Sequence, residues 1–317
     1  AKLRNGDFDE SLIEPTINNY KMQMMRSFEE NESRAMLYVY SFINGADWAD
    51  EVQQLDRMSK ITKQDVVDWA NKYLGPESYA IIYKREGKDP DEQKIAAPKI
   101  TPIVTNRDSQ SEFLSEIQTS QVQPIEPVFV DYKKDMSQFE AQPGIDVLYK
   151  KNETNDIFTL IYVFNTGTEN DPALNLAFNY LSYLGTDKMT AEEIASEMYD
   201  IACSFYMNAG ANQSSIQITG LSENMGKAME IVEGLIAGAK PDEAILENLK
   251  GDMLQSRADA KLNQSRCFGA LQRYLFYGGD FIRRTTLTDP ALQALTSVQL
   301  LAKIGGLMGK QHEVLYY

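Results

Sequence analysis

The chain has 317 residues, 43% of them hydrophobic and 24% charged, enough to bury real cores and, at about 150 residues per domain, to form about two of them. Its 31 lysines and arginines stand against 46 acids, a net charge of −15, the wrong sign for a phosphate-neutralising surface, so nucleic acid is not an expected partner. The longest apolar stretch, Ile157 to Phe164, has eight residues where a bilayer needs about 20, so neither a membrane span nor a signal peptide is expected.

Taken in chain order, Met22, Met24, Met25 and Met36 fall in helical context and are expected to pack into a core. Thr62 caps a helix that stops at Gly75, and Ala80 to Tyr83 reads as a short apolar strand. Six of the eleven prolines lie between Glu86 and Gly144, which marks 86–143 as an interdomain linker. Within it, Ser111 to Ile117 suits a short helix and Val128 to Val130 a docking strand. Ile145 to Lys150 and Ile157 to Phe164 then read as neighbouring strands.

Asp171-Pro172 opens a helix to about Leu184, ended by Gly185. Thr190 with Glu193 forms a capping box before a helix whose apolar face is Ile194, Met198 and Ile201. Ser215 to Leu221 alternates as a strand, Ser222 to Gly238 is a helix, and Pro241 precedes two long helices, to about Ala260 and from about Ser265 to Tyr277. Strands followed by runs of helices make the expected fold class α+β, with a mostly antiparallel sheet packed against helices.

His312 is the chain's one histidine. Zinc sites built from a histidine pair are thereby excluded within the chain, and His312, just before the last strand, is expected at the surface or a strand edge. Cys203 and Cys267 are too far apart for a Cys-x-x-Cys motif and are expected as small buried hydrophobes on helices. Glu192-Glu193 and Asp242-Glu243 sit in first helical turns, where the helix dipole accounts for them better than a catalytic carboxylate pair does.

Ile61 to Tyr83 also lays without gaps on Leu295 to Tyr317. Ten of the 23 positions are apolar in both copies and three are identical, so the repeat is one of pattern rather than identity. A shift one residue smaller pairs Asp9-Glu10 with Asp242-Glu243 and Gly45 with Gly278. The expected organisation is a truncated rear part of one unit, mostly helical with one strand, at 1–85. The linker at 86–143 and a nearly complete second unit at 144–317 follow, the whole being an excised piece of a longer protein.

Strand, helix, Gly-Thr, capped helix, strand and long helix, repeated at a spacing of about 230 residues, resemble the pitrilysin/insulinase family of zinc metallopeptidases, with its mitochondrial-processing-peptidase-like fold. In that family an active unit carries His-x-x-Glu-His on its first helix, shortly before a Gly-Thr pair, and a further glutamate downstream as third zinc ligand. Here Gly185-Thr186 is retained. Leu176 and Tyr180 stand where the histidines would be, Asn179 where the catalytic glutamate would be, and Gln255 or Ser256 where the distal glutamate would be.

Leucine cannot coordinate zinc and neutral asparagine cannot take a proton from a water nucleophile. The resemblance therefore implies an inactive peptidase unit with no catalytic, cofactor or metal residues of its own, Leu176, Asn179, Tyr180 and Ser256 being degenerate motif positions. It implies zinc only in an active unit elsewhere in the parent protein. The implied partners are a peptide or unfolded protein substrate and other units of the same parent chain. The alternative is a binding or scaffold protein that keeps the fold without proteolysis. On the bland reading, Leu176, Asn179 and Tyr180 belong to an ordinary amphipathic helix facing a core.

Overall fold

A computed structural model describes residues 1–75, 78–84, 86–87, 96–103, 105 and 109–317. The chain falls into two compact units, one of residues 1–72 with 131–317 and one of residues 73–130.

The first unit opens with α1 (Lys2–Asn5), α2 (Ile13–Ser27), α3 (Asn31–Asn44), α4 (Trp48–Val52), α5 (Gln54–Met58) and α6 (Lys63–Tyr73). Gly45 ends α3 at φ 63°, a left-handed position that suits glycine. In the second unit Ser111 caps α7 (Glu112–Thr119), accepting from the Leu114 N–H at 3.1 Å. Other parts of the expected linker, 88–95 and 106–108 among them, lie outside the described residues.

Neither Ala80–Tyr83 nor Val128–Val130 forms the expected strand. A strand exists through the hydrogen bonds of its neighbours. Here Ile82 and Val128 are more than nine-tenths exposed, so apolar composition alone does not create a ladder.

The remaining elements of the first unit are β1 (Ser137–Gln142), β2 (Ile145–Tyr149), β3 (Ile157–Phe164), α8 (Leu174–Leu181), α9 (Ala191–Asp200), β4 (Cys203–Ala209) and β5 (Ser214–Leu221). They continue with α10 (Met225–Gly238), α11 (Glu243–Leu262), α12 (Gln264–Thr285), α13 (Asp289–Ala294), α14 (Ser297–Met308) and β6 (His312–Tyr316). Gly278, at φ 75°, breaks α12 one residue after the expected helix end at Tyr277.

The six strands form one sheet in the order β1-β2-β6-β3-β5-β4, antiparallel throughout except for the parallel pair β2–β6. Thus β2 and β3 are not neighbours: the last strand of the chain inserts between them, pairing Val314 with Val147 on one side and Tyr162 on the other. Local pattern cannot encode an insertion made by a segment about 150 residues downstream. Sequence reading also missed β1, which lies inside the proline-rich stretch, and β4. In β4 the alternation Cys203, Phe205, Met207 against exposed Ser204, Tyr206, Asn208 was the available signal.

One sheet face carries Phe158, Leu160, Tyr162 and Phe164 from β3 with Ile216 and Ile218 from β5, and α8, α10 and α14 close over it in a single core. Each fully buried large side chain there contributes about 2–3 kcal/mol. On the opposite face Met22 and Met25 of α2 pack with Ile157, Ala202 and Leu221. The Arg26 guanidinium donates to Thr219 Oγ1 at 2.5 Å, so α2 is fastened to the sheet by an apolar contact and a polar one. Among the described residues no helix is long and apolar enough to cross a membrane.

Candidate functional site

Helix α8 is apolar on nearly every side, and a helix of that kind is driven inward. Leu176 is 3% and Tyr180 0% exposed, whereas Asn179 points to solvent. The Tyr180 hydroxyl donates to the Asp242 carbonyl at 3.0 Å and accepts from the Asp242 N–H at 2.6 Å. Both of its hydrogen-bonding roles are therefore spent on the backbone that starts α11. Burial pushes the Tyr180 phenol above its ordinary range.

The Asp242 side chain in turn accepts from the N–H groups of Ala244 and Ile245, and Glu243 accepts from the Ser297 hydroxyl at 2.6 Å and the Ser297 N–H at 3.1 Å. Those donors hold the Glu243 carboxyl below the usual carboxylate range. Residues 180, 242, 243 and 297 thus knot the starts of α11 and α14 to α8. The capping role expected for Asp242 is present, while Glu243 serves as a tie between helices rather than only as a dipole partner.

The retained Gly185-Thr186 has a similarly structural explanation. A Cβ at Gly185 would lie 2.5 Å from the Met189 carbonyl oxygen and 2.8 Å from Thr190 Cα. Thr186 Oγ1 accepts from the N–H groups of Lys188 and Met189, and the Gly185 carbonyl accepts from Lys240 N–H at 2.9 Å. Immediately beyond, Thr190 and Glu193 form the expected capping box, with Thr190 holding the Glu193 carboxyl low.

Gln255 and Ser256 are exposed on α11 and line a cleft of about 410 Å³ with Asp252, Asp259, Asn263 and Arg266. No α8 residue lines that cleft, so the structure does not gather Ser256 with Asn179 and Tyr180. The residues at the motif positions do not fit zinc: Leu176 has no donor atom, the Tyr180 oxygen is engaged twice, and the neutral amide of Asn179 faces water. Among the described residues no three His, Cys, Asp or Glu side chains are grouped so as to hold a metal ion.

His312 is not at the surface. It begins β6, a central strand, and is 4% exposed, with its ring 5.0 Å from that of Phe164 and 6.2 Å from that of Tyr162. Cys203 is buried as expected but on a strand, and Cys267, on α12, is exposed. Burial pushes the Cys203 thiol up to about 11. A thiol reagent at pH 8 is accordingly expected to modify Cys267 in the native chain and both cysteines only after denaturation; rapid labelling of two thiols in native protein would contradict this burial. Of the methionines, Met22 and Met25 pack in a core, while Met24 and Met36 line a surface cleft of about 440 Å³.

A feature that motif reasoning did not reach is a cavity of about 680 Å³ between the inner sheet face and helices α10 and α14. Its walls include Val147, Leu160, Met229, Ile236 and Met308, and its polar groups include Tyr162, Glu233 and His312. The Tyr162 hydroxyl donates to Glu233 Oε1 at 2.6 Å. Desolvation, with Glu233 as a second cause, raises the Tyr162 phenol well above its ordinary value. A tyrosine and a histidine on the buried face of otherwise apolar strands were the sequence signals for this place.

No protein-family model and no curated protein matches the sequence. Among solved structures, the periplasmic protease PqqL from Escherichia coli is similar at TM-score 0.51 and 14% identity, over 94% of this chain and 36% of that one. An inactive domain of peptidase M16 from Pseudomonas fluorescens is similar at TM-score 0.49 and 16% identity, over 57% of this chain and 46% of that one. A putative M16-like peptidase from Alicyclobacillus acidocaldarius is similar at TM-score 0.48 and 13% identity, over 60% and 47%. The chain therefore shares the fold of the Escherichia coli protease, and it spans about a third of that protein's length.

Proposed function

We propose that this chain is a non-catalytic part of a zinc-dependent metallopeptidase, helping to enclose a peptide or unfolded protein substrate opposite an active unit carried elsewhere in the parent protein. The observation that carries the reading is the state of α8 within a peptidase fold: Leu176 is sealed in the core and Tyr180 is bonded to Asp242. On this reading 1–85 is the rear of a preceding unit, 86–143 a linker and 144–317 a degenerate unit. The motif positions hold the fold together and perform no step on a substrate.

Metal analysis and a peptide-cleavage assay on the purified chain test the reading, with no stoichiometric zinc and no cleavage expected. About one tightly held zinc per chain would overturn it. The parent protein is expected to carry a His-x-x-Glu-His unit outside these residues. A full-length parent lacking one would favour instead a binding or scaffold protein of the same fold.

A further inference from the structure

We infer that the cavity between the sheet and helices α10 and α14 is a binding site for a small amphiphilic amine, an apolar body ending in one protonated nitrogen. At about 680 Å³ it is of the size that holds small ligands, and hydrophobic side chains from β2, β3, β6, α10 and α14 line most of it. What selects the ligand is the sign of its few polar groups.

His312 Nδ1 lies 2.8 Å from the Lys310 carbonyl oxygen. A carbonyl only accepts, so Nδ1 carries the hydrogen and Nε2 of the neutral ring is an acceptor. Among the described residues Nε2 has no hydrogen-bond partner, yet no buried side-chain nitrogen or oxygen is left unpartnered. Nε2 therefore keeps some accessible surface, on a residue that is 4% exposed and lines the cavity. Glu233, an exposed residue of α10 that also lines the cavity, uses Oε1 to accept from the Tyr162 hydroxyl, and its carboxylate has Oε2 as a second acceptor.

Besides the neutral Gln142 amide and the Tyr316 hydroxyl, the mostly apolar lining carries one acidic group, the Glu233 carboxylate, which in a chain of net charge −15 complements a cationic donor with a hydrocarbon body and disfavours an anion. Neither the motif positions nor the proposed enclosure of a peptide is involved, so the inference stands independently of the proposed function.

The test uses n-octylamine as probe, with n-octanoate and n-octanol as controls, on the whole 317-residue chain carrying ¹³C-methyl methionine. Saturable one-to-one binding of the amine is expected, moving the Met229 and Met308 methyl signals and leaving Met22, on the opposite sheet face, in place. Glu233→Gln is expected to weaken binding about tenfold, by loss of a charge-assisted hydrogen bond. Gly305 lines the cavity, and a Cβ there meets nothing within 4 Å. Gly305→Leu should therefore fill the space while improving the helix, and abolish binding.

Absence of saturable amine binding, octanoate or octanol binding as tightly as octylamine, or undiminished binding by folded Gly305→Leu would each overturn the assignment. Should Gly305→Leu fail to fold, the methionine shifts and the Glu233→Gln titration decide alone.

Discussion

Writing His-x-x-Glu-His back into α8, as Leu176→His, Asn179→Glu and Tyr180→His together, is expected to unfold the chain rather than to create a zinc site. Leu176 sits in the shared core, where an imidazole loses the leucine's burial and desolvates a polar ring without a partner, costing about 3 kcal/mol. Tyr180→His removes a fully buried ring and leaves the N–H and carbonyl of Asp242 without the hydroxyl that serves both, costing about 2–4 kcal/mol more. Asn179→Glu, on the exposed side, should be nearly silent.

A total near 5–7 kcal/mol is comparable with the whole stability of an ordinary domain. Thermal unfolding followed by circular dichroism, with metal analysis of whatever remains folded, checks the expectation. A triple variant that melts like the parent chain and takes up zinc would show that α8 still frames a metal pocket, and would remove the main support for the proposed function.

Gly220→Val is expected to be strongly destabilising from a single site. Gly220 lies on β5 opposite Cys203 of β4, and a Cβ there would run into Cys203 Sγ while lying 2.6 Å from the Ala202 carbonyl oxygen and 2.7 Å from Cys203 Cα. Two of these neighbours are backbone atoms and cannot swing away. They are also held by Ala202, which takes φ 48° although it is not glycine, so the chain entering β4 is already in a costly conformation.

Pushing β4 off β5 would open the sheet next to Phe158 and Ile218, both fully buried, and a loss of more than about 3 kcal/mol follows from overpacking plus broken pairing. The control is Gly226→Ala, on the first turn of α10, where a Cβ meets nothing within 4 Å and the change should be neutral or stabilising. Equal melting temperatures for the two variants would mean that β4 is not seated against Gly220 as described.

The features legible without a structure were those whose physics is local. Thr190 with Glu193 closes a reciprocal capping box because three residues suffice to make one. Strand β3 announced itself because a continuous β-branched and aromatic run has few other uses. The acidic pair Glu192-Glu193 was likewise readable, since the first turn of a helix sets its role within the same few residues.

The misreadings concern partners remote in sequence. Ala80–Tyr83 has the composition of β6 but no ladder, whereas His312–Tyr316 becomes central because β2 and β3 flank it. The same insertion turns His312 from an expected surface residue into a cavity wall. Cys203 lies on β4 rather than on the expected helix, because α9 ends at Asp200 and Ala202 turns the chain at positive φ.

By itself, then, the sequence determined the fold class, the capped starts of α6, α7, α9 and α11 and the chemical poverty of the positions where a zinc motif would stand, because residue identity and short-range pattern decide those. Only the tertiary structure decided what these positions do instead. Leu176 became core, Asn179 stayed in water and Tyr180 became the tie between α8 and the start of α11. It also placed Tyr162, Glu233 and His312 around one cavity. The physical reason is the same for both: a hydroxyl, a carboxylate or an imidazole acquires its role from the atoms facing it, and those come from segments tens to hundreds of residues away.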